Sequence, residues 1–136
     1  MDYQKMAEYR NDHNNFTKRL GMVLEYVGPG AARVVKTISE DDLNPLGRPH
    51  GGVYFTMADF AAGSAMASHG YAAVTMNANY NFFRSANTGE TVTAEATEVK
   101  SGQTVCVYDV QVTGENGILL GSGTFTFFRL EEKLAF

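Results

Sequence analysis

The chain has 136 residues, a length that suits one domain and leaves little room for two. Hydrophobic residues make up 44% and charged residues 19%, a balance that excludes a disordered chain. Fifteen acids against eleven bases give a net charge of −4, and no basic stripe runs through the sequence. That argues against a nucleic-acid binder and leaves any anionic ligand to a local patch.

Residues 2 to 19 are polar, with apolar positions at Tyr3, Met6, Tyr9 and Phe16. This spacing predicts an N-terminal helix, with a break expected near Asn11-Asp12. M-V-L-E-Y-V and A-R-V-V-K-T-I flank Gly28-Pro29-Gly30, so residues 22 to 38 read as a hairpin. Ser39 to Pro49 is a loop punctuated by Pro45, Gly47 and Pro49.

From Gly51 the sequence turns apolar and small, through Val53, Phe55, Met57, Ala58, Phe60, Ala61, Ala62, Ala65 and Met66. These positions wrap most of a helix, which is therefore expected to be buried on all sides. Strand patterns return at about Val74 and continue in four runs: V-T-M-N-A-N-Y-N-F, T-V-T-A-E-A-T-E-V, Q-T-V-C-V-Y-D-V-Q-V and I-L-L-G-S-G-T-F-T-F-F. Val92, Ala94 and Ala96 alternate with polar neighbours, as do Cys106, Tyr108, Val110 and Val112. Period-2 patterning of this kind predicts an antiparallel sheet with one face more buried. Asn87-Thr88-Gly89, Ser101-Gly102 and Gly114-Glu115-Asn116-Gly117 read as short hairpin loops. The economical architecture is α+β, a long central helix embraced by a curved six-stranded antiparallel sheet, with one domain spanning residues 1–136.

One charge, Asp59, interrupts the central helix. A helix starting at Gly51 presents unpaired N–H groups at the positive end of its dipole, and Gly51-Gly52 lets a carbonyl or anion approach that backbone. Such an array has the physics of an oxyanion hole. Asp59 lies eight residues on, about 12 Å along the axis at about 1.5 Å per residue, too far to act on a carbonyl held at its own Gly51. Asp59 of a second, antiparallel copy has no such restriction, so the spacing favours a site shared across a dimer.

Other chemistry finds little support. Cys106 lies inside a strand pattern and is expected to be packed rather than reactive. A lone Cys without a secretory signal leads us to expect the reducing cytoplasm. His13, His50 and His69 show no metal spacing, no G-x-S-x-G elbow occurs, and no cofactor is expected. Gly51 to Ser68 is just long enough to cross a membrane, but Asp59 at its centre makes a buried helix the better reading, and no membrane partner is expected.

Asn44-x-x-Gly47-x-x-His50-Gly51-Gly52, with Asp59 eight residues past Gly51, resembles the hotdog-fold acyl-CoA thioesterases. The similarity is greatest to the phenylacetate-pathway (PaaI-like) group of the 4-hydroxybenzoyl-CoA thioesterase superfamily. It extends through G-Y-A-A-V-T-M-N-A-N-Y-N-F-F-R, G-E-T-V-T-A-E-A and G-Q-T-V-C-V-Y-D-V-Q-V, covering roughly residues 20 to 130. The resemblance implies that Asp59 is the catalytic carboxylate, either general base or nucleophile. It implies that the Gly51 N–H polarises the thioester carbonyl, Asn44 orients thioester or water, and His50 shapes the turn. Thr75 matches a hydroxyl residue near the carboxylate in some members. The resemblance also implies homodimers that pair into homotetramers, with coenzyme A as part of the substrate rather than a cofactor.

For the coenzyme A moiety the candidates are Gly52, Arg84, Arg48 and the turn Lys100-Ser101-Gly102-Gln103. Tyr54, Phe55, Phe82 and Phe83 suit an acyl pocket and suit core packing equally well. Two other readings stay open. A noncatalytic acyl-CoA-binding protein on the same fold is one. A hotdog hydratase is the other; it needs a His shortly after the Asp, and here the next is His69.

Overall fold

The computed structural model describes residues 1–136. Its elements are α1 (Tyr3–His13), α2 (Asn15–Arg19), β1 (Val23–Gly28), β2 (Ala31–Thr37), α3 (Gly51–Ala67), β3 (Tyr71–Phe82), β4 (Thr91–Ser101), β5 (Val105–Thr113) and β6 (Leu119–Lys133). All six strands join one antiparallel sheet in the order β1-β2-β4-β5-β6-β3. The long helix α3, inserted between β2 and β3, packs across the concave face and lies most closely on β4 and β2.

The core follows from the alternation. Val92, Ala94 and Ala96 of β4, Cys106, Tyr108, Val110 and Val112 of β5, and Phe125 and Phe127 of β6 are all buried towards α3. From the helix, Ala58, Ala61, Ala62 and Ala65 are fully buried. Methyl-sized side chains let the helix axis approach the curved sheet, while Met57, Phe60 and Met66 fill the remaining depth. Gly30, at φ +68°, closes the β1–β2 hairpin in a conformation that other residues rarely adopt.

Four details differ from expectation, each for a local reason. The N-terminal helix breaks at Asn14, not near Asn11-Asp12. Asn11 stays helical because its amide pairs with both backbone groups of Leu24 in β1, donating to the carbonyl at 3.0 Å and accepting the N–H at 2.7 Å. Asn14 leaves helical geometry and caps α2, its Oδ1 accepting the Thr17 N–H.

The segment around Asn87-Thr88-Gly89 is not a hairpin. β3 lies at the far edge beside β6, and β4 lies between β2 and β5, so the segment crosses between them. Two backbone bonds anchor it to the end of β2: Ile38 N–H to Glu90 O at 2.9 Å, and Gly89 N–H to Ile38 O at 2.8 Å. β3 itself begins at Tyr71, because Gly70 turns the chain at φ +86° and its carbonyl accepts the Leu134 N–H.

Finally, α3 is not buried all round. Gly52, Phe55, Thr56, Asp59 and Gly63 retain solvent exposure while every other α3 side chain from Val53 to Ala67 is buried. The spacing i, i+3, i+4, i+7, i+11 is one helical stripe. The sheet wraps the rest of the helix and leaves this stripe open in a single chain. No helix is long and apolar enough to cross a membrane.

Candidate active site

Asp59 stands at the middle of the open stripe of α3. Thr75 of β3 meets it, the hydroxyl Oγ1 donating to Asp59 Oδ1 at 2.7 Å. A break in strand register places the threonine. Thr75 pairs with Phe127 and Asn77 with Thr126, so Met76 is an extra residue in β3. This bulge allows Ala73 and Thr75 before it, and Ala78 and Tyr80 after it, to share the helix-facing side.

Asp59 and Thr75 open into a cleft of about 220 Å³ walled by apolar side chains that include Phe60, Tyr71, Phe127 and Leu134. Two further polar residues line it, Arg10 of α1 and Asn14 at the α1–α2 break. Arg10 is mostly buried, and its Nε donates to Ser64 Oγ at 2.9 Å. Burial pulls the Arg10 guanidinium below its ordinary value, and the negative charge of Asp59 opposes that shift.

The other half of the expected site sits at the start of α3. His50 is the N-cap, and its Nδ1 accepts the Gly52 N–H at 2.8 Å, which fixes Nδ1 as the unprotonated nitrogen. The Gly51 N–H finds no acceptor within the chain. Phe82 of β3 lies over it, close enough that a Cβ at residue 51 would stand 3.2 Å from the ring. Asn44 organises the loop before the helix, its Oδ1 accepting the N–H of Leu46 at 2.9 Å and of Arg48 at 3.2 Å.

An ion pair holds that loop from beneath. Lys36, on the buried face of β2, meets Asp42 at 3.1 Å with both side chains almost fully shielded. Lys36 also donates to the Leu20 carbonyl, and Asp42 O accepts the His50 N–H at 2.8 Å. Lys36 thus ties the end of the N-terminal helices to the Asp42 carboxylate, and the backbone carbonyl of Asp42 holds the N-cap residue of α3. The acidic run Glu40-Asp41-Asp42 reads from sequence as a solvated turn, but Asp42 is buried because Lys36, at an inward position of β2, pairs with it.

Within one chain the structure brings together Asp59 and Thr75, and separately Asn44, His50, Gly51 and Gly52. The unbroken helix keeps the two groups about 12 Å apart at about 1.5 Å per residue. Of the aromatic candidates, Phe55 and Phe82 flank Tyr80 beside the start of α3, and Phe83 is exposed. Tyr54 belongs to the core, where its hydroxyl accepts the Ala86 N–H at 2.9 Å and burial raises its pKa.

Arg48 and Arg84 are exposed, and neither joins an ion pair. Gly102 and Gln103 form the β4–β5 turn, with Lys100 and Ser101 just before it. Gln103 lines a groove with Thr104, Phe128 and Arg129, whose guanidinium stacks on the Tyr71 ring. Tyr71 also walls the Asp59 cleft, so it separates the two spaces. His69 is remote from Asp59, paired with Glu98 beyond the end of α3. Cys106 is buried, with its thiol directed at Gly102 O. No three His, Cys, Asp or Glu side chains cluster at metal-binding geometry.

Comparison with known proteins shows the family. A sequence profile of the thioesterase superfamily matches residues 46–120, and the chain belongs to that superfamily. Its relatives include the Escherichia coli acyl-coenzyme A thioesterase PaaI, 34% identical over 109 residues that cover 80% of this chain and 76% of PaaI. The solved structure of PaaI superimposes with a TM-score of 0.90 at 27% identity, covering 95% of this chain and 94% of that one. The expected hotdog architecture is thereby established. A Streptococcus mutans protein solved with acetyl-CoA bound matches at TM-score 0.79 and 30% identity, over 84% of this chain and 91% of that one. A hypothetical thioesterase protein of Streptococcus pneumoniae, solved with an Asp or a Thr replaced by Ala, matches at TM-score 0.76 and 29% identity. In the Asp-substituted structure the match covers 79% of this chain and 89% of that one.

Proposed function

We propose that this chain hydrolyses acyl-CoA thioesters to the free acid and coenzyme A, at sites shared between two copies in a homodimer or a dimer of dimers. The observation that carries the proposal is a carboxylate on an open helix stripe, oriented by a threonine hydroxyl, in an apolar cleft. The free Gly51 N–H begins the same helix. The substitutions made in the S. pneumoniae relative fall sixteen positions apart, the spacing of Asp59 and Thr75, which supports treating these two as a working pair.

The Thr75 hydroxyl occupies Oδ1 of Asp59 and leaves Oδ2 for water. A water gives its proton to Asp59 as its oxygen bonds to the thioester carbonyl carbon. The carbonyl oxygen gains negative charge and is stabilised by the Gly51 N–H of the partner helix and by the positive end of its dipole. Collapse breaks the C–S bond, and the departing thiolate takes the proton from Asp59. In the nucleophilic variant Asp59 itself attacks, expels the thiolate and forms an anhydride that water then opens. A thiolate leaves readily, so one carboxylate and one N–H array can do without a Ser-His-Asp triad. Coenzyme A enters only as part of the substrate, with the Gln103 groove beside Tyr71 offered for its polar portion.

β3 supports the dimer. It is an edge strand of twelve residues, unpaired along one side, and it carries Thr75. Pairing two such edges about a two-fold axis brings two open helix stripes towards each other in antiparallel sense.

The test is thiol release across an acyl-CoA panel, with wild type beside Asp59→Asn. Loss of about 10² to 10⁴ in kcat is expected for a positioned acid–base group. Undiminished turnover in Asp59→Asn removes the assignment, and binding without turnover on any thioester leaves a noncatalytic acyl-CoA binder. Single turnover in labelled water separates the two chemical variants, since label in the protein carboxylate indicates attack by Asp59.

A further inference from the structure

Arg10 is unexplained by the chemistry above. It reaches from α1 into the cleft that holds Asp59 and Thr75. Its Nε is spent on Ser64, whose own hydroxyl proton goes to the Phe60 carbonyl at 2.7 Å, so the guanidinium plane is fixed from the helix side. The Phe60 ring lies beneath it, with the guanidinium carbon 5.9 Å from the ring centroid. Nη2 lies alongside Gly63, one turn beyond Asp59. Neither terminal nitrogen has a hydrogen-bond acceptor in the chain, and no carboxylate lies within ion-pair distance.

Both terminal nitrogens keep contact with solvent in the single chain, so the cost falls on an occupant that displaces that water from the cleft without accepting from them. Asp59 shares the cleft and contributes a longer-range attraction, but it does not close the contact. Asn14 also lines the cleft, but its Oδ1 already accepts the Thr17 N–H, and the Thr75 hydroxyl is engaged by Asp59. If anchoring α1 to α3 were the whole purpose, Nε alone would serve, and a shorter neutral donor would avoid burying a charge.

The geometry points to Arg10 as a specificity-determining residue that accepts acyl groups carrying an oxygen at their far end, over plain hydrocarbon acyl groups of equal length. This inference rests on the thioesterase reading. With the thioester carbonyl at Asp59, the acyl group extends into the cleft between Tyr71, Phe127 and Leu134 and ends near the two Nη atoms. A carboxylate matches the guanidinium fork best, because two parallel charge-assisted bonds form. A hydroxyl offers one acceptor to the same donors. A hydrocarbon end leaves the donors desolvated and unpaired, which is the arrangement that lets an enzyme reject an analogue lacking a polar group.

The experiment compares kcat/KM for glutaryl-CoA, 5-hydroxypentanoyl-CoA and pentanoyl-CoA, in wild type, Arg10→Met and Arg10→Lys. The wild type is expected to prefer at least one oxygenated ester over pentanoyl-CoA by about tenfold or more. Arg10→Met should bring that ratio to near one. Arg10→Lys, which keeps charge but loses the fork, should retain part of a carboxylate preference. The relative size of the glutaryl and hydroxypentanoyl ratios identifies which oxygen the site takes. A wild type that turns over pentanoyl-CoA as well as both oxygenated esters overturns the inference, and needs no variant to fold. So does a preference that survives intact in Arg10→Met. Failure of every thioester in the wider panel would instead count against hydrolysis itself.

Discussion

At the scale of single residues, the site depends on bonds that can be removed one at a time. Thr75 donates to Asp59 from an exposed strand position, so Thr75→Val should leave the fold intact and release the carboxylate. A hydrogen bond to a charged group is worth about 1.5 to 3 kcal/mol, so kcat should fall roughly tenfold to a hundredfold. Steady-state kinetics with an unchanged unfolding midpoint would check this; a stability loss matching the activity loss would count against it. Tyr54 is the converse case. Its hydroxyl is the acceptor for a buried Ala86 N–H, so Tyr54→Phe strands a backbone donor. About 1 to 3 kcal/mol of stability should be lost in urea titration, with kcat nearly unchanged.

At the scale of elements, the loop before α3 and the helix itself make separate predictions. Lys36→Met leaves Asp42 buried without its cation, and breaking such a pair costs about 3 to 5 kcal/mol. Since Asp42 also receives the His50 N–H, thermal unfolding should move down sharply and catalysis should become temperature-sensitive. Gly63→Ala acts the other way. A Cβ there meets Arg10 Nη2 and the Phe127 ring at 3.6 Å, an ordinary contact, and removes glycine from mid-helix. Stability should rise by roughly 0.5 to 1 kcal/mol, read as an increase in the denaturant midpoint. Much of this architecture was legible in the sequence because α3 and β4 to β6 carry strong periodic patterns. Composition could not reveal that the sheet wraps only part of α3. An all-apolar helix looks buried from every side, whereas the open stripe is set by where the strands end. The expected break near Asn11 failed for a similar reason, since its partner Leu24 lies on another element. Asp59 stood out as a charge in an apolar run, whereas Arg10, in a polar segment 49 residues earlier, had no motif to mark it.

At the scale of the whole molecule, the question is whether one chain holds a complete site. Gly51 is the first residue of α3, a position that tolerates proline, and His50 at φ −59°, ψ 140° already has the geometry that precedes one. Gly51→Pro thus removes the N–H while keeping the helix start, with the exposed Phe82 ring free to give way. Gly51→Pro and Asp59→Asn should each be inactive alone. Unfolded together and refolded as a mixture, they should recover roughly a quarter of wild-type activity, because half the dimers are mixed and each mixed dimer has one intact site. No recovery would show that each chain works alone. The twelve-residue free edge of β3 carries a further consequence. A catalyst assembled from two halves obeys mass action, so diluting it lowers the fraction of chains that have a partner. Specific activity should therefore fall with enzyme concentration below the dissociation constant of the pair, and substrate that bridges both chains should slow that loss.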